Sequence, residues 1–360
     1  MIYLDYQATT PLAPQALAAM LPWLESQHAN PHSPHAPGRA AKAAVEIARS
    51  QVGALLPAGG QVAFTSGATE ALNWAIKGTS GGIVTLATEH AAVLDTAAAT
   101  GRPVTLLPVG PDGLVDLEVA RAAIVPGTGL VAAMLVNNEI GVIQPIAELA
   151  ALAHAAGALF LCDAVQGYGR LPIPATCDLV AISAHKIHGP KGIGALWVRD
   201  GVPLAPLLHG GGQEAPGRSG TLSPALCAGF GAAAKVAAMR SEEDAAHVRR
   251  LWASATGRLG QGWILNGSPV HRYCGNLNLR REGLDVARLM ADLRDIAFSA
   301  GSACASGSGR PSHVLRALGL SDAQSRSSIR IGFGRMTTEE ELMTALDRIC
   351  AAADAQRVAA

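Results

Sequence analysis

Six short apolar runs recur through the first half of the chain, and turns or helix-like segments separate them. The runs VAFTS, IVTLAT, PVTLLPV, GLVAAMLV, ALFLCDA and DLVAISA begin at residues 62, 83, 103, 129, 158 and 178. They are continuous rather than alternating, which is typical of strands whose two faces are both covered. The segments between them predict helices at 67–78, 89–100, 116–124 and 145–156. This alternation predicts an α/β fold with a mostly parallel sheet.

The pattern changes after about residue 235, which indicates a second, smaller α+β domain. A charged helix is predicted at 241–259, and further helices at 285–294 and 312–318. Short strands are predicted from residues 276, 296 and 328, and a last helix begins at Thr338, where Glu341 can close a capping box. We expect residues 16–245 to form the large domain, and residues 1–15 and 246–360 to form the small one.

Charge and composition exclude several classes of protein. The chain has 28 basic and 28 acidic residues and only 4% aromatic residues, which argues against a nucleic-acid-binding surface. No apolar run approaches the ~20 residues that a membrane span needs, and the first residues, MIYLDYQATT, do not form a signal peptide. The six cysteines show no metal-ligand spacing, so we expect no metal site and a cytoplasmic protein with reduced thiols.

Several residues with chemical potential follow the predicted strands. Lys186 lies at a strand end before a glycine-rich turn, where a partly desolvated amine can form a Schiff base. Asp163 follows another strand, and a buried carboxylate there needs a cationic partner such as a protonated pyridine nitrogen. His90 follows a third strand and could lie over a ring. Taken alone, Lys186 is more often a solvated loop residue and His90 a structural histidine, and Asp163 is equally compatible with a helix N-cap.

Three further segments point to ligands. In FTSGATE, which starts at Phe64, small and hydroxyl residues precede a helix whose first N–H groups suit a phosphate. Cys304 lies in a run of Gly, Ser and Ala that offers no core for a buried thiol, as expected for a nucleophile on a mobile loop. Arg330 lies on a predicted strand of the small domain and could bind a carboxylate. Only their joint occurrence on one α/β frame is specific.

These blocks, in this order, resemble the cysteine desulfurases of the NifS/IscS type within the fold-type I, class V aminotransferase-like enzymes, which depend on pyridoxal 5'-phosphate (PLP). The resemblance covers almost the whole chain. The matching blocks are YLDYQATTP, FTSGATE, TEHAAVLDT, VNNEIGVIQPI, CDAVQGYGRLPI, SAHKIHGPKGIGAL, HGGGQE, RSGTL, SAGSACAS, PSHVLRALGL and SSIRIGFGR. Two departures are Gln7, in place of residues often seen in the first block, and Ala184, where many relatives have glycine.

The resemblance implies a role for each site residue. Lys186 forms the Schiff base with PLP, Asp163 pairs with the pyridine nitrogen, and Gln166 bonds the ring oxygen. His90 stacks on the ring and takes part in catalysis. The implied phosphate ligands are Ala68, Thr69, Ser183 and His185, with Thr221 reaching the phosphate of the partner subunit in a homodimer. The residues implied to hold the substrate, and in the case of Asn138 also the cofactor, are Asn30, Asn138 and Arg330.

The implied reaction converts L-cysteine to L-alanine and leaves the sulfur as a persulfide on Cys304. A scaffold or carrier protein would then accept the sulfur for iron–sulfur cluster assembly or related sulfur trafficking. The resemblance implies neither a membrane nor a nucleic acid as a partner.

Three alternatives stay open from the residues. A selenocysteine lyase, another PLP lyase or an aminotransferase of the same fold would use the same frame, but a transaminase has no use for Cys304. A serine hydrolase is a remote alternative, because residues 78–82 fit G-x-S-x-G and His209 opens an HGGG segment. That serine joins a helix to a strand, which is the reverse of a nucleophile elbow. An iron–sulfur or metal carrier would need cysteine spacings that the chain lacks.

Overall fold

The computed structural model describes residues 1–215, 217–301 and 311–358. The strands in this part of the chain are Ile2–Tyr3 (β1), Gly60–Thr65 (β2), Gly82–Leu86 (β3), Val104–Leu107 (β4), Thr128–Met134 (β5), Leu159–Asp163 (β6), Leu179–Ser183 (β7), Gly194–Arg199 (β8), Ile264–Leu265 (β9), Asn276–Arg280 (β10), Ile296–Ala297 (β11), Ser299–Ala300 (β12) and Ser328–Gly332 (β13). The helices are Pro14–Glu25 (α1), Ala36–Gly53 (α2), Ala68–Lys77 (α3), Ala91–Ala99 (α4), Leu117–Ala123 (α5), Ile146–Ala155 (α6), Pro224–Arg258 (α7), Val286–Asp292 (α8), His313–Ala317 (α9), Asp322–Arg326 (α10) and Glu339–Val358 (α11).

The main sheet has seven strands in the order β2-β8-β7-β6-β5-β3-β4. The pairs from β7 to β4 are parallel, and β8 runs antiparallel to both of its neighbours. All six apolar runs of the first half form strands of this sheet, and all four helices predicted between them are present, with ends shifted by one or two residues. The predicted α/β fold with a mostly parallel sheet is therefore confirmed.

Helices cover both faces of the main sheet, which explains why its inner strands are apolar throughout, whereas the edge strand β4 is largely exposed. On one face, α3 and α4 contribute side chains such as Leu72, Trp74 and Val93 to a buried cluster. On the other face, residues of α2, α6 and α7, including Val52 and Phe230, pack against Phe64 and Trp197 of the sheet.

A four-stranded sheet, in the order β12-β13-β10-β9, belongs to a separate buried cluster. Side chains of α8, α11 and the last third of α7 pack on it, among them Leu251, Leu289 and Leu346. The predicted capping box of α11 is confirmed, because Thr338 Oγ1 accepts from Glu341 N and Glu341 Oε2 accepts from Thr338 N.

Two details of the second half differ from expectation. The helix predicted at 241–259 is the end of α7, which begins at Pro224 and spans 35 residues. The first half of α7 is rich in Ala and Gly and shows no alternation of apolar and charged faces. Only the charged second half therefore has a clear helical pattern in the sequence. The run predicted as one strand from Ile296 divides into β11, which pairs with β1, and β12, which pairs with β13.

The continuous α7 contributes to both the large and the small buried cluster. The division into domains at 16–245 stays a prediction. In the described part of the chain, no helix combines the length and the hydropathy that crossing a membrane would require.

Candidate active site

A cavity of about 480 Å³ opens at the carboxyl ends of β5, β6 and β7. In sheets of this kind, binding sites form where the parallel strands end. The structure brings ten of the predicted site residues to this cavity: Ala68, Thr69, His90, Asn138, Asp163, Gln166, Ser183, His185, Lys186 and Arg330.

Lys186 ends a short 3-10 turn, Ala184–Lys186, which follows β7 directly. Its Nζ donates to the backbone oxygens of Gln7 at 2.5 Å and Ala8 at 2.8 Å. The N-terminal segment therefore fixes the position of the lysine amine at the cavity. In the sequence Gln7 stands out only as a departure from relatives, because backbone contacts leave no signature in side-chain types.

Asp163 is the last residue of β6, and only 6% of its surface is exposed. One carboxylate oxygen, Oδ1, accepts from the Val165 N–H at 3.0 Å. Burial raises the pKa of this carboxyl group, against the opposing effects of the Val165 N–H, His90 and Lys186. A carboxylate held in this way favours a cationic ligand atom, since a buried charge needs a partner.

The N-terminus of α3 faces the same cavity. The residue before the helix, Gly67, has no side chain to cap it, so the first N–H groups of α3 are left for a ligand. A Cβ built on Gly67 would meet open space, which shows that a recess lies beside the helix end. Thr69 and the basic Lys191 also line this part of the cavity, which suits a phosphate.

His185 lines the same cavity as this recess at the α3 N-terminus, and its Nδ1 is 3.1 Å from Thr9 Oγ1. Burial, together with the positive charges of Lys186 and Lys191, lowers the pKa of His185 to about 4. The ring is therefore neutral at pH 7 and can donate a hydrogen bond from one nitrogen only.

His90 caps the N-terminus of α4, where its Nδ1 accepts from the Ala92 N–H at 3.0 Å. The same ring lines the cavity. The capping bond fixes both the orientation of the ring and its tautomer, which carries the proton on Nε2. A structural cap and a cavity-facing ring are thus compatible in one residue.

Gln166 is held on two sides. Its Nε2 donates to Gln7 O at 2.9 Å, and its Oε1 accepts from Arg170 Nη1 at 2.9 Å. Arg170 also donates from Nη2 to Lys186 O at 2.6 Å. Arg170 therefore links Gln166 with Lys186, a positioning role that the sequence analysis missed.

Arg330, on β13, reaches the cavity from the small sheet and is 1% exposed. Its Nη2 forms an ion pair with Asp5 at 2.7 Å, and its Nη1 donates to Asn138 O at 3.1 Å. Nε of Arg330 has no hydrogen-bond partner among the described residues. A buried guanidinium with a donor left over can receive a carboxylate.

Two buried glutamates, Glu89 and Glu139, adjoin cavity residues in the chain but do not line the cavity themselves. The sequence analysis missed both. Glu89 accepts from the Met134 N–H at 2.8 Å, and burial raises its pKa well above the usual range, helped by Asp163. Glu139 accepts from Ser312 Oγ at 2.5 Å, and burial also raises its pKa. Both glutamates lie next in sequence to cavity residues, His90 and Asn138. That adjacency was visible in the sequence, but burial was not.

Other predicted residues do not reach this cavity. Asn30 and Thr221 are exposed and do not line it. Cys304 lies outside the described residues. Ser80 and His209, which suggested a hydrolase, do not line the cavity either, and Ser80 lies between the end of α3 and the start of β3. The serine therefore lacks the strand-to-helix turn that a nucleophile elbow requires.

The cysteines and acidic groups of the described part give no metal centre. Among the residues of the three described segments, no three His, Cys, Asp or Glu side chains come together as metal ligands. The cysteines described, at positions 162, 177, 227, 274 and 350, form no disulfide.

The groups that line the cavity match the chemical groups of PLP. The recess at the α3 N-terminus suits the phosphate, the buried Asp163 suits a pyridinium nitrogen, and Lys186 offers an amine at the same cavity. A cavity of about 480 Å³ lies in the range of small-molecule sites and leaves room for a small substrate.

Comparison with known proteins agrees with this reading of the site. The model of the family described as Aminotransferase class-V matches residues 2–344. A protein of Rickettsia felis named cysteine desulfurase IscS is 44% identical over 377 aligned positions, which cover 99% of this chain and 92% of that protein.

Solved structures show the same relationship. A NifS-like protein from Rickettsia africae has a TM-score of 0.91 and 30% identity, with 98% of this chain and 99% of that chain covered. A protein described as SspA in complex with cysteine has a TM-score of 0.82 and 34% identity, with 92% and 99% covered.

Proposed function

The chain belongs to the class-V aminotransferase family and, within it, to the IscS-type cysteine desulfurases, and from that premise we propose that it desulfurates L-cysteine to L-alanine. The cofactor of this family is PLP. The main support for this proposal is that Lys186, Asp163 and the N-terminus of α3 lie around one cavity.

Each residue would hold one part of the cofactor. Lys186 would bind its aldehyde carbon, Asp163 the protonated pyridine nitrogen, and Gln166 the ring oxygen. His90 would lie against the ring, and the phosphate would lie at the α3 N-terminus with Ser183 and His185. When bound, PLP supplies an electron sink for the pair left on the α-carbon of the substrate.

The side chains then perform the remaining work. Arg330, with its spare Nε–H, and the neighbouring Asn138 would orient the carboxylate of cysteine. The Lys186 amine, held near the Gln7 and Ala8 oxygens, would move a proton at the α-carbon.

We assign sulfur abstraction to Cys304 from the sequence alone. Its thiolate would attack the substrate sulfur, so that an S–S bond forms while the C–S bond breaks and its electron pair stays on carbon. Protonation of that carbon yields alanine, and Cys304 carries a persulfide. An acceptor protein in iron–sulfur cluster assembly or a related pathway, in the cytoplasm, would take the sulfur from it.

The test measures both products. Purified holoenzyme with L-cysteine and a thiol reductant should release equimolar sulfide and alanine, and Cys304→Ala should lose turnover while keeping the visible absorbance of the cofactor. Full activity in Cys304→Ala would contradict the role of the thiol. Pyruvate or transamination products in place of sulfide and alanine would favour another PLP enzyme of this fold.

A homodimer is part of the proposal. Thr221 is exposed in its own chain, away from its own cavity, and α1 exposes Leu17, Leu21 and Leu24 to solvent. Both features are consistent with a partner subunit that receives Thr221 at its phosphate.

Mixed dimers test this arrangement. In a dimer of Lys186→Ala and Thr221→Ala chains, one site retains both wild-type residues only if Thr221 acts across the interface. Mixing the two inactive or weakened proteins should then restore activity above that of either alone. No restoration, or a mass equal to that of one chain in solution, would contradict the proposal.

A further inference from the structure

A second cavity, of about 220 Å³, lies behind the turn that carries Lys186. Lys186 lines both this cavity and the site described above, so the turn forms the wall between them. The far side of the second cavity is formed by α7 and by the chain that follows β13. None of the roles proposed above uses this space.

The wall of the second cavity carries more positive than negative charge. Among its lining residues are Arg170, Arg272 and Arg335, opposed by Asp244. Asp244 is already paired, with Arg335 Nε at 2.6 Å and with Arg240 Nε at 3.3 Å. In the described residues, Arg170 and Arg272 form no ion pair and donate only to carbonyl and amide oxygens.

Two residues that line this cavity each carry a buried guanidinium nitrogen that lacks a partner among the described residues. Nε of Arg272, a residue that is 5% exposed, and Nη1 of Arg335 have no acceptor among the described residues. Burial lowers the pKa of Arg272 to about 10, so the group is still cationic at pH 7. Buried cations with donors left over are complemented by an anion.

The remainder of the lining is mostly apolar. Leu171, Ile187, Ala245 and Val248 contribute aliphatic surface, and Tyr273 contributes a ring. A small inorganic anion would leave this surface without contacts, whereas a ligand with an apolar body would cover it.

We propose that this second cavity binds a small organic carboxylate, with its carboxylate toward Arg335 and Arg272 and its apolar body against α7 and Ile187. Arg170, which donates to Lys186 O and Gln166 Oε1, lines the same cavity. The ligand would therefore lie against the turn that carries Lys186 and would be connected to Gln166 through Arg170. This inference does not depend on the reaction proposed above.

Calorimetric titration of the wild-type holoenzyme with benzoate tests the proposal. Benzoate should bind saturably, with one equivalent per chain at millimolar concentration or tighter, and benzyl alcohol and sulfate should each bind at least about tenfold more weakly. Comparable binding of benzyl alcohol would overturn the need for an anion, and comparable binding of sulfate would overturn the need for an apolar body.

Three variants locate the binding. Arg335→Gln removes the unpaired donor and should weaken benzoate at least about tenfold. Ala245→Phe fills the cavity without removing a charge and should do the same. Arg240→Gln is the matched control, because it loses an ion pair to the same Asp244 but does not line the cavity, so its affinity should stay within about twofold of wild type.

Two results would overturn the proposal. The first is an absence of saturable binding to the wild type. The second is unchanged affinity in Ala245→Phe, which would place benzoate elsewhere, such as near Arg330. Circular dichroism and cofactor absorbance show whether each variant is folded, and Ala245→Phe decides the question if Arg335→Gln is not.

Discussion

The residue that most tests the cofactor assignment is Asp163. Asp163→Asn keeps the shape and the oxygen that accepts the Val165 N–H, but it removes the charge that would hold a pyridinium proton. We expect kcat for sulfide release to fall by about 100-fold or more, with a shift of the cofactor absorbance.

The matched control is Asp178→Asn, which alters another buried carboxylate, 5% exposed, that pairs with Arg199 and does not line the cavity. It should lower stability and leave the absorbance unchanged. Equal kcat values for the Asp163 and Asp178 variants would argue against the assigned role of Asp163.

A second prediction at this scale concerns stability against pH. His188 is the only non-glycine residue among those described with a positive φ, at 68°, and its Nδ1–H donates to Pro11 O at 2.9 Å. Burial lowers its pKa to about 4, as do the charges of Arg335 and Arg170, while the Pro11 carbonyl and Asp244 oppose the shift. The unfolded chain therefore binds a proton at higher pH than the folded chain does.

Protonation of His188 therefore favours the unfolded chain. The stability that neutral His188 contributes is present above about pH 6.5 and is lost as the pH falls toward 4. Asparagine tolerates the left-handed conformation, so His188→Asn is a suitable variant. Over that pH window, its free energy of unfolding should fall by up to about 3 kcal/mol less than that of the wild type. Urea unfolding of both proteins at several pH values measures the difference. Parallel pH profiles would contradict the prediction.

Among the elements, the short helix α9 depends on Ser312 at two points. Ser312 Oγ accepts from the Leu315 N–H as the N-cap and donates to the buried Glu139. Ser312→Ala should cost about 1 kcal/mol for the cap and about 1–3 kcal/mol for the carboxyl left without its partner. Denaturant titration should therefore show a loss of about 2–4 kcal/mol.

The next helix supplies the control. Ser321 caps α10 in a capping box but bonds no buried acid, so Ser321→Ala should cost about 1 kcal/mol. Equal losses in the two variants would show that the bond to Glu139 contributes nothing.

Sequence patterns predicted elements best where both faces of a strand or one stripe of a helix were apolar. The parallel strands from β3 to β7 met that condition, and the structure confirmed them. The sequence does not predict β8, because the strand follows directly on the glycine-rich turn after Lys186 and its first residues belong to that motif. In α2 the buried stripe, Ala41, Val45, Ala48 and Val52, has helical spacing but consists of small residues, so its apolar signal is weak. The Ala- and Gly-rich start of α7 has no strong periodicity.

For the molecule as a whole, the ordered motifs predicted which residues meet at one cavity, since strand ends of a parallel sheet converge. They did not predict contacts made across the chain by backbone atoms or by residues far apart in sequence. The hydrogen bonds of Gln7 to Lys186 and Gln166 span 179 and 159 positions. The close packing of Gln7 against Gly332 is another contact between distant residues, because a Cβ on Gly332 would lie 1.8 Å from Gln7 Oε1.

The most direct measurement of the central claim is mass spectrometry of the holoenzyme after one turnover with L-cysteine and no reductant. The account predicts one extra sulfur atom on the peptide that contains Cys304, one alanine released per sulfur, and no modification of the buried Cys162 or Cys177. Alanine formed without sulfur on that peptide, or sulfur on another cysteine, would contradict it.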